Sequence, residues 1–427
     1  MENIRKGKGD WEWFYKARFG LFIHWGLYAL PARHEWVRNY EEIPNEIYDE
    51  KYFGKFNPDL YNPEEWACIA KKAGMKYAVI TTKHHEGFCL FDSKLTDYKA
   101  TNTPAKRDLI REFVNGFRKE NLKIGFYYSL IDWHHPHFTI DKLHPLRNHP
   151  DKEKLNKEKD MSKYREYLHG QVKELLTEYG KIDIMWLDFS YPGPDGKGKD
   201  DWDSEKLVKI IRELQPHILL NNRLDLENEF DFITPEQFVP YKWPEINGKK
   251  VLWESCQTFS GSWGYHRDEA TWREPEELIR TLIDCVSKGG NLLLNVGPTA
   301  RGEIDYRARE RLEKIGEWMY YHSDSIYCCT EAPTEFKVPK DCRLTYNPEK
   351  NRLYIHIFSW PYKFLFLEGK SYRERVLYAQ LLNDKSEIKI GLDEWYKKQM
   401  GDIDGIALVL PPFKPKVEVP VIELFLK

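Results

Sequence analysis

The chain has 427 residues, enough for one barrel of about 250–300 residues and a smaller companion, but more than one ordinary small domain holds. Lys+Arg total 65 against 68 Asp+Glu, and the net charge of -3 supplies no general field for nucleic acid or an anionic membrane surface. No run approaches the roughly 18 apolar residues of a membrane span, the N-terminal stretch is followed by no signal-peptide core, and a cytoplasmic protein is expected.

The first apolar β-type run, 19–25, opens an alternation of short apolar runs and amphipathic segments that continues to about residue 325. Such alternation predicts an α/β fold with a parallel sheet. Further runs at 77–83, 123–128, 182–187, 218–222, 230–233, 250–253 and 291–296 bring the count to eight, the number that closes a barrel. Between them Leu109, Ile110, Phe113, Val114 and Phe117 follow helical spacing. Leu207, Ile210, Ile211 and Leu214, and then Leu278, Ile279, Leu282, Ile283 and Val286, do the same. The connections after runs five and six are too short or irregular for helices, so the barrel is expected to be distorted there. Segment 132–160, charged and His-rich, has no sustained apolar period and reads as a loop over the active face rather than a metal site.

From 327 onward the helical pattern stops, and strand-like runs at 353–358, 364–367, 376–382, 387–390, 406–410 and 417–425 predict a β-sandwich of roughly 90 residues. The expected organisation is a (β/α)8-like, TIM-type barrel over 1–326 followed by an all-β sandwich over 327–427. Seven cysteines without C-x-x-C spacing fit reduced thiols rather than disulfides or zinc.

Functional side chains of such barrels sit at the C-terminal strand ends, and the polar residues there are numerous: His24, His84-His85, Tyr127-Tyr128, Asp188, Asn221-Asn222-Arg223, Glu236, Glu254 and Asn295. Aromatic residues make up 15% of the chain, with fifteen Trp. Apolar ring faces beside hydrogen-bonding groups suit sugars. Two carboxyl groups flanking a glycosidic bond would give that pocket a chemistry, one attacking and one exchanging protons. Asp188 closes the apolar run 182–187 and is the first candidate; Glu236, Glu254 and Glu35 compete for the second role, and spacing alone does not choose among them.

At these residues the chain resembles glycoside hydrolase family 29, the α-L-fucosidases. The resemblance is carried by the stretch from Phe19 to Ala32 (FGLFIHWGLYALPA), Glu35-Trp36, the stretch from Lys76 to Ser93, Trp263-Gly-Tyr265, and the stretch from Lys288 to Pro298. It implies retaining, metal-independent and cofactor-independent release of terminal α-L-fucose from oligosaccharides or glycoconjugates. The nucleophile would be Asp188 and the acid/base Glu236, with Glu254 and then Glu35 behind it. It assigns His24, Glu35, Trp36, His84, His85, Tyr128 and Arg223 to the fucosyl ring, and Trp186 is added as a pocket residue. A homo-oligomer is left open. The competing readings are a silent fucose-binding protein and a hydrolase of another L-sugar such as an α-L-galactoside.

Overall fold

A computed structural model describes residues 4–400 and 404–427. Its barrel strands are β1 (Phe19–Ile23), β2 (Tyr77–Lys83), β3 (Lys123–Ser129), β4 (Ile184–Asp188), β5 (Leu219–Leu220), β6 (Phe232–Ile233), β7 (Leu252–Thr258) and β8 (Asn291–Val296). They form one parallel sheet in the order β5-β4-β3-β2-β1-β8-β7-β6. The two edge strands are only two residues long, and they meet through a single parallel bridge, Asn221 to Phe232. The irregularity expected after runs five and six is therefore real: no helix follows either strand, and a short hairpin, Glu245–Ile246 with Lys249–Lys250, fills part of the second gap.

The other strands are covered by longer helices: α1 (Pro63–Lys72), α2 (Leu109–Lys119), α3 (Met161–Glu178), α4 (Ser204–Leu214), α5 (Pro275–Val286) and α6 (Tyr306–His322). Their ends follow local chemistry. Asn62 caps α1 by accepting from the Glu64 and Glu65 amides, with Pro63 at the first turn, and Asp108 caps α2 by accepting from the Arg111 amide at 2.9 Å. The predicted stripe of α2 is buried at Leu109, Ile110, Phe113, Val114 and Phe117.

One strand differs from expectation in a way that matters for the site. Run seven was expected at 250–253, but β7 spans Leu252–Thr258, so Glu254 lies near its start, opposite Asn291. The polar sequence Glu-Ser-Cys-Gln-Thr hides this strand from a hydrophobicity reading, although all seven residues are buried. Hydrogen bonds make that burial tolerable: Ser255 donates to the Phe238 carbonyl at 2.8 Å, and Gln257 to Ser255 at 2.9 Å. The loop expected at 132–160 is mostly irregular, with a short helix at Lys152–Lys157. It is anchored by a fully buried ion pair, Lys83 Nζ to Asp132 Oδ2 at 3.0 Å.

Beyond the barrel, β9 (Cys342–Asn347), β10 (Arg352–Ile357), β11 (Phe364–Glu368), β12 (Val376–Leu381), β13 (Lys389–Ile390), β14 (Gly405–Val409) and β15 (Val421–Leu426) build two antiparallel sheets. Their orders are β9-β10-β15-β12 and β11-β14-β13, and they enclose a separate core that includes Leu344, Ile355, Leu367, Leu408 and Leu424. Strand β9 was not foreseen. The sandwich docks on the barrel through α6, where Trp318 Nε1 donates to the Val419 carbonyl at 2.8 Å. Among the described residues, no helix is long and apolar enough to cross a membrane.

Candidate active site

A pocket at the C-terminal end of the barrel is lined by Phe22, His24, Glu35, Trp36, His84, His85, Tyr127, Trp186, Asp188, Phe189, Glu236, Cys256 and Trp263. Two larger surface clefts, of about 840 and 510 Å³, lie elsewhere and are lined by mostly charged residues of helices and loops. Convergence of strand ends, not size, marks the functional pocket.

Asp188, the last residue of β4, is 8% exposed. Tyr127 donates its hydroxyl to Oδ2 at 2.7 Å, and Arg223 Nη1 donates to Oδ1 at 3.2 Å. Burial pushes the Asp188 pKa up to about 6; Glu236 pushes the same way and Arg223 opposes both. Phe189, directly after it, holds φ at 79°, a left-handed conformation unusual for a bulky residue. That turn sets the Phe189 ring against His85, with ring centroids 4.7 Å apart, and against Trp36 at 5.3 Å.

Arg223 joins the two candidate carboxylates. Its Nη2 donates to Glu236 Oε2 at 3.0 Å and to the Thr234 carbonyl at 3.1 Å, its Nε donates to Thr234 Oγ1 at 2.8 Å, and its guanidinium lies 5.0 Å over the Trp186 ring. The Glu236 side chain is 44% exposed, at the mouth of the pocket. The planar guanidinium thus holds the two carboxylates through separate nitrogens.

Neutral imidazoles face the pocket. Asn295 donates through Nδ2 to the Trp263 carbonyl at 2.6 Å, so its Oδ1 accepts from His24 Nδ1 at 2.6 Å and leaves His24 Nε2 as an acceptor. Ser129 donates to the Ile131 carbonyl at 2.8 Å, so its Oγ accepts from His85 Nδ1 at 2.6 Å, with the same consequence for His85 Nε2. Burial lowers the His24 pKa to about 3 and holds His84 and His85 well below the usual imidazole value. His84 Nδ1 is buried without a protein partner.

Glu35 and Trp36 come from the loop after β1. The loop after β7 closes against it: Glu35 Oε2 accepts from the amides of Trp263 at 3.2 Å and Gly264 at 2.8 Å. Glycine is needed there, since a Cβ on Gly264 would lie 2.8 Å from the Tyr28 ring and 3.1 Å from the Glu35 amide. Burial raises the Glu35 pKa despite those amides.

Two expected site residues do not reach the pocket. Tyr128 points outward, donating its hydroxyl to Gln171 of α3 at 2.8 Å, because neighbouring residues of a strand face opposite sides and Tyr127 takes the inward one. Glu254 lies below the pocket floor, fully buried, accepting from Trp186 Nε1 at 3.3 Å and from the Tyr77 hydroxyl. His24, Glu35, Trp36, His84, His85, Trp186, Asp188 and Glu236 line the pocket, and Arg223 reaches both carboxylates. Sequence reasoning did not select Tyr127, Trp263, Phe22, Phe189 or Cys256. Trp263 at least stood in a quoted motif, whereas Tyr127 needed the register that pairs it with Trp186. Among the described residues, no group of three or more His, Cys, Asp or Glu is arranged to hold a metal ion.

Comparison with known proteins identifies the family. The family profile described as Alpha-L-fucosidase matches residues 2–324. The human plasma α-L-fucosidase is 31% identical over 384 residues, covering 82% of this chain and 76% of its own. α-L-Fucosidase isoenzyme 1 from Paenibacillus thiaminolyticus superposes with a TM-score of 0.92 at 47% identity, covering 98% of this chain and 99% of its own. A Bacteroides thetaiotaomicron family 29 enzyme, trapped as a covalent intermediate with 2-fluoro-fucosyl fluoride through a Glu-to-Gln mutant, superposes with a TM-score of 0.81 at 27% identity, covering 97% of this chain and 95% of its own. The chain belongs to the α-L-fucosidase family, glycoside hydrolase family 29, and is a retaining glycosidase of α-L-fucosides.

Proposed function

We propose that Asp188 is the nucleophile and Glu236 the acid/base of a double displacement on terminal α-L-fucose of oligosaccharides or glycoconjugates. The observation that carries the assignment is the one guanidinium, Arg223, held between a buried Asp188 and a half-exposed Glu236. In the first step the Asp188 carboxylate attacks the anomeric carbon, the bond to the leaving oxygen breaks, and Glu236 supplies that oxygen with a proton. In the second, Glu236 takes a proton from water, the water oxygen attacks the same carbon, and the bond to Asp188 breaks.

Glu236 is favoured over its rivals by position. A proton donor must meet the leaving group on the solvent side, where Glu236 stands. Glu254 is sealed beneath Trp186, and Glu35 is tied to the Trp263 and Gly264 amides, a placement that suits gripping a sugar hydroxyl. His24, His84 and His85 offer neutral nitrogens to the remaining hydroxyls, while Phe22, Trp36, Trp186 and Trp263 supply ring faces for the C–H surface and methyl group. We place the boundary between barrel and sandwich at 326/327, and the protein in a reducing, cytoplasmic compartment, since all seven cysteines are free thiols.

The test is Glu236→Ala with an activated aryl α-L-fucoside and a poor leaving-group fucoside. The variant should still form the fucosyl-enzyme from the activated substrate, lose most turnover of the other, and give fucosyl azide of retained configuration when azide is added. Equal loss on both substrates, with no azide product, would return the role to Glu35.

A further inference from the structure

Glu254 is a carboxyl group in the interior of the barrel that the double displacement does not use. It is 0% exposed, and burial pushes its pKa up to about 7. Its neighbours are two donors: the Trp186 indole N–H on Oε1 and the Tyr77 hydroxyl on Oε2. The site is built for it. Tyr77 passes over Gly20, where any Cβ would lie 2.4 Å from the tyrosine ring, and Asn291 Nδ2 donates to the Tyr77 oxygen at 3.4 Å. A buried carboxyl costs stability that a hydrophobic residue of similar volume would not. Its presence under the pocket calls for a role above it.

What lies above is Trp186, two residues before Asp188 on the same strand. Its ring packs on Phe22 at 5.2 Å, stacks on Tyr127 at 5.8 Å with planes 21° apart, and carries the Arg223 guanidinium 5.0 Å over its face. Tyr127 and Arg223 are the two side chains that hold the Asp188 carboxylate, and Arg223 also holds Glu236. A carboxyl oxygen accepting from an indole N–H fixes the ring's rotation, and in its charged form it raises the electron density of the ring face, which strengthens the attraction for a cation above it.

We infer that Glu254 is a positioning residue: gripping the Trp186 indole from below, it sets the platform on which Arg223 and Tyr127 orient the two reacting carboxylates. The inference rests on Asp188 being the nucleophile. It commits Glu254 to act through Trp186 and nothing else in the pocket.

A double-mutant cycle separates this role from general support of the core. kcat/KM for an aryl α-L-fucoside is measured per folded enzyme for the parent, Glu254→Gln, Glu254→Leu, Trp186→Phe and the two double variants, with Asp188→Gly alongside. Glu254→Leu should lose roughly tenfold and Glu254→Gln, which keeps an acceptor but no charge, about threefold. In the Trp186→Phe background, which has no N–H to grip, either change should add less than about twofold. If the leucine variant does not fold, the glutamine cycle alone carries the test. Effects that multiply across the two sites, or a Glu254 variant with parental kcat/KM beside a dead Asp188→Gly, would overturn the inference. Turnover retained by Asp188→Gly would instead overturn the nucleophile assignment beneath it.

Discussion

Replacing Arg223 by Met asks how the pocket keeps Asp188 charged. Arg223 Nη1 stands 3.2 Å from Asp188 Oδ1, and two unit charges at that separation interact by about 5 kcal/mol at an effective dielectric near 20. The side chains are 23% and 11% exposed, so solvent screens part of this, and about 1.5–2.5 kcal/mol is a working figure, or one to two pKa units. Arg223 favours the charged carboxylate, so its loss raises the Asp188 pKa from about 6 toward roughly 7–8. As the proposed nucleophile, Asp188 must be ionised, so the acidic limb of the kcat/KM profile of an aryl fucoside should move up by at least one unit. Activity would then fall more at pH 5.5 than at pH 8.5. A limb that stays in place, or moves down, would refute the claim that Arg223 sets the charge of Asp188.

The same raised pKa has a stability consequence. Because folding lifts the Asp188 pKa from 3.8 to about 6, its charge destabilises the fold progressively as pH rises through that window, by about 1–3 kcal/mol at neutral pH. Asp188→Asn should therefore melt a few degrees above the parent at pH 7, with the gain shrinking as pH falls from 6 to 4; an Asn variant less stable at pH 7 would contradict this. Tyr127→Phe removes a charge-assisted hydrogen bond to Asp188 and should cost about 10–100-fold in kcat, whereas Tyr128→Phe should leave kcat within about twofold and lose about 1 kcal/mol of stability. Steady-state kinetics and denaturant titration read the contrast, and the reverse pattern would put the wrong tyrosine in the pocket. Lys83→Met leaves the buried Asp132 charge with only the His134 and His135 amides as partners and should cost about 3–5 kcal/mol, part of it recovered by adding Asp132→Asn, which removes the charge and keeps an acceptor for those amides. No recovery in the double variant would show that the ion pair itself stabilises the loop.

Much of the barrel was legible because parallel strands buried on both faces appear as continuous apolar runs. Strands β1, β2 and β8 are of that kind, and so is the Asp188 end of β4. Strand β7 was misplaced because Glu-Ser-Cys-Gln-Thr is polar, and its burial depends on partners such as Tyr77 and Phe238 that only the fold brings close. The same shift moved Glu254 from a strand end to a strand start, away from the lining of the pocket. Parity explains the other miss. Within one strand alternation is certain, so Asp188 inward puts Trp186 inward, but choosing Tyr127 over Tyr128 needed the pairing of Tyr127 with Trp186. The tie between Glu35 and Gly264 joins residues 229 positions apart, and no local pattern announces it.

The most direct test of the account is Asp188→Gly, checked for native folding, assayed on 4-nitrophenyl α-L-fucoside with and without azide. The account predicts turnover in the parent and none in the variant, and then azide-dependent release of nitrophenol with fucosyl azide of inverted configuration. Substantial turnover by the variant without azide, or an azide product of retained configuration, would contradict Asp188 as the nucleophile.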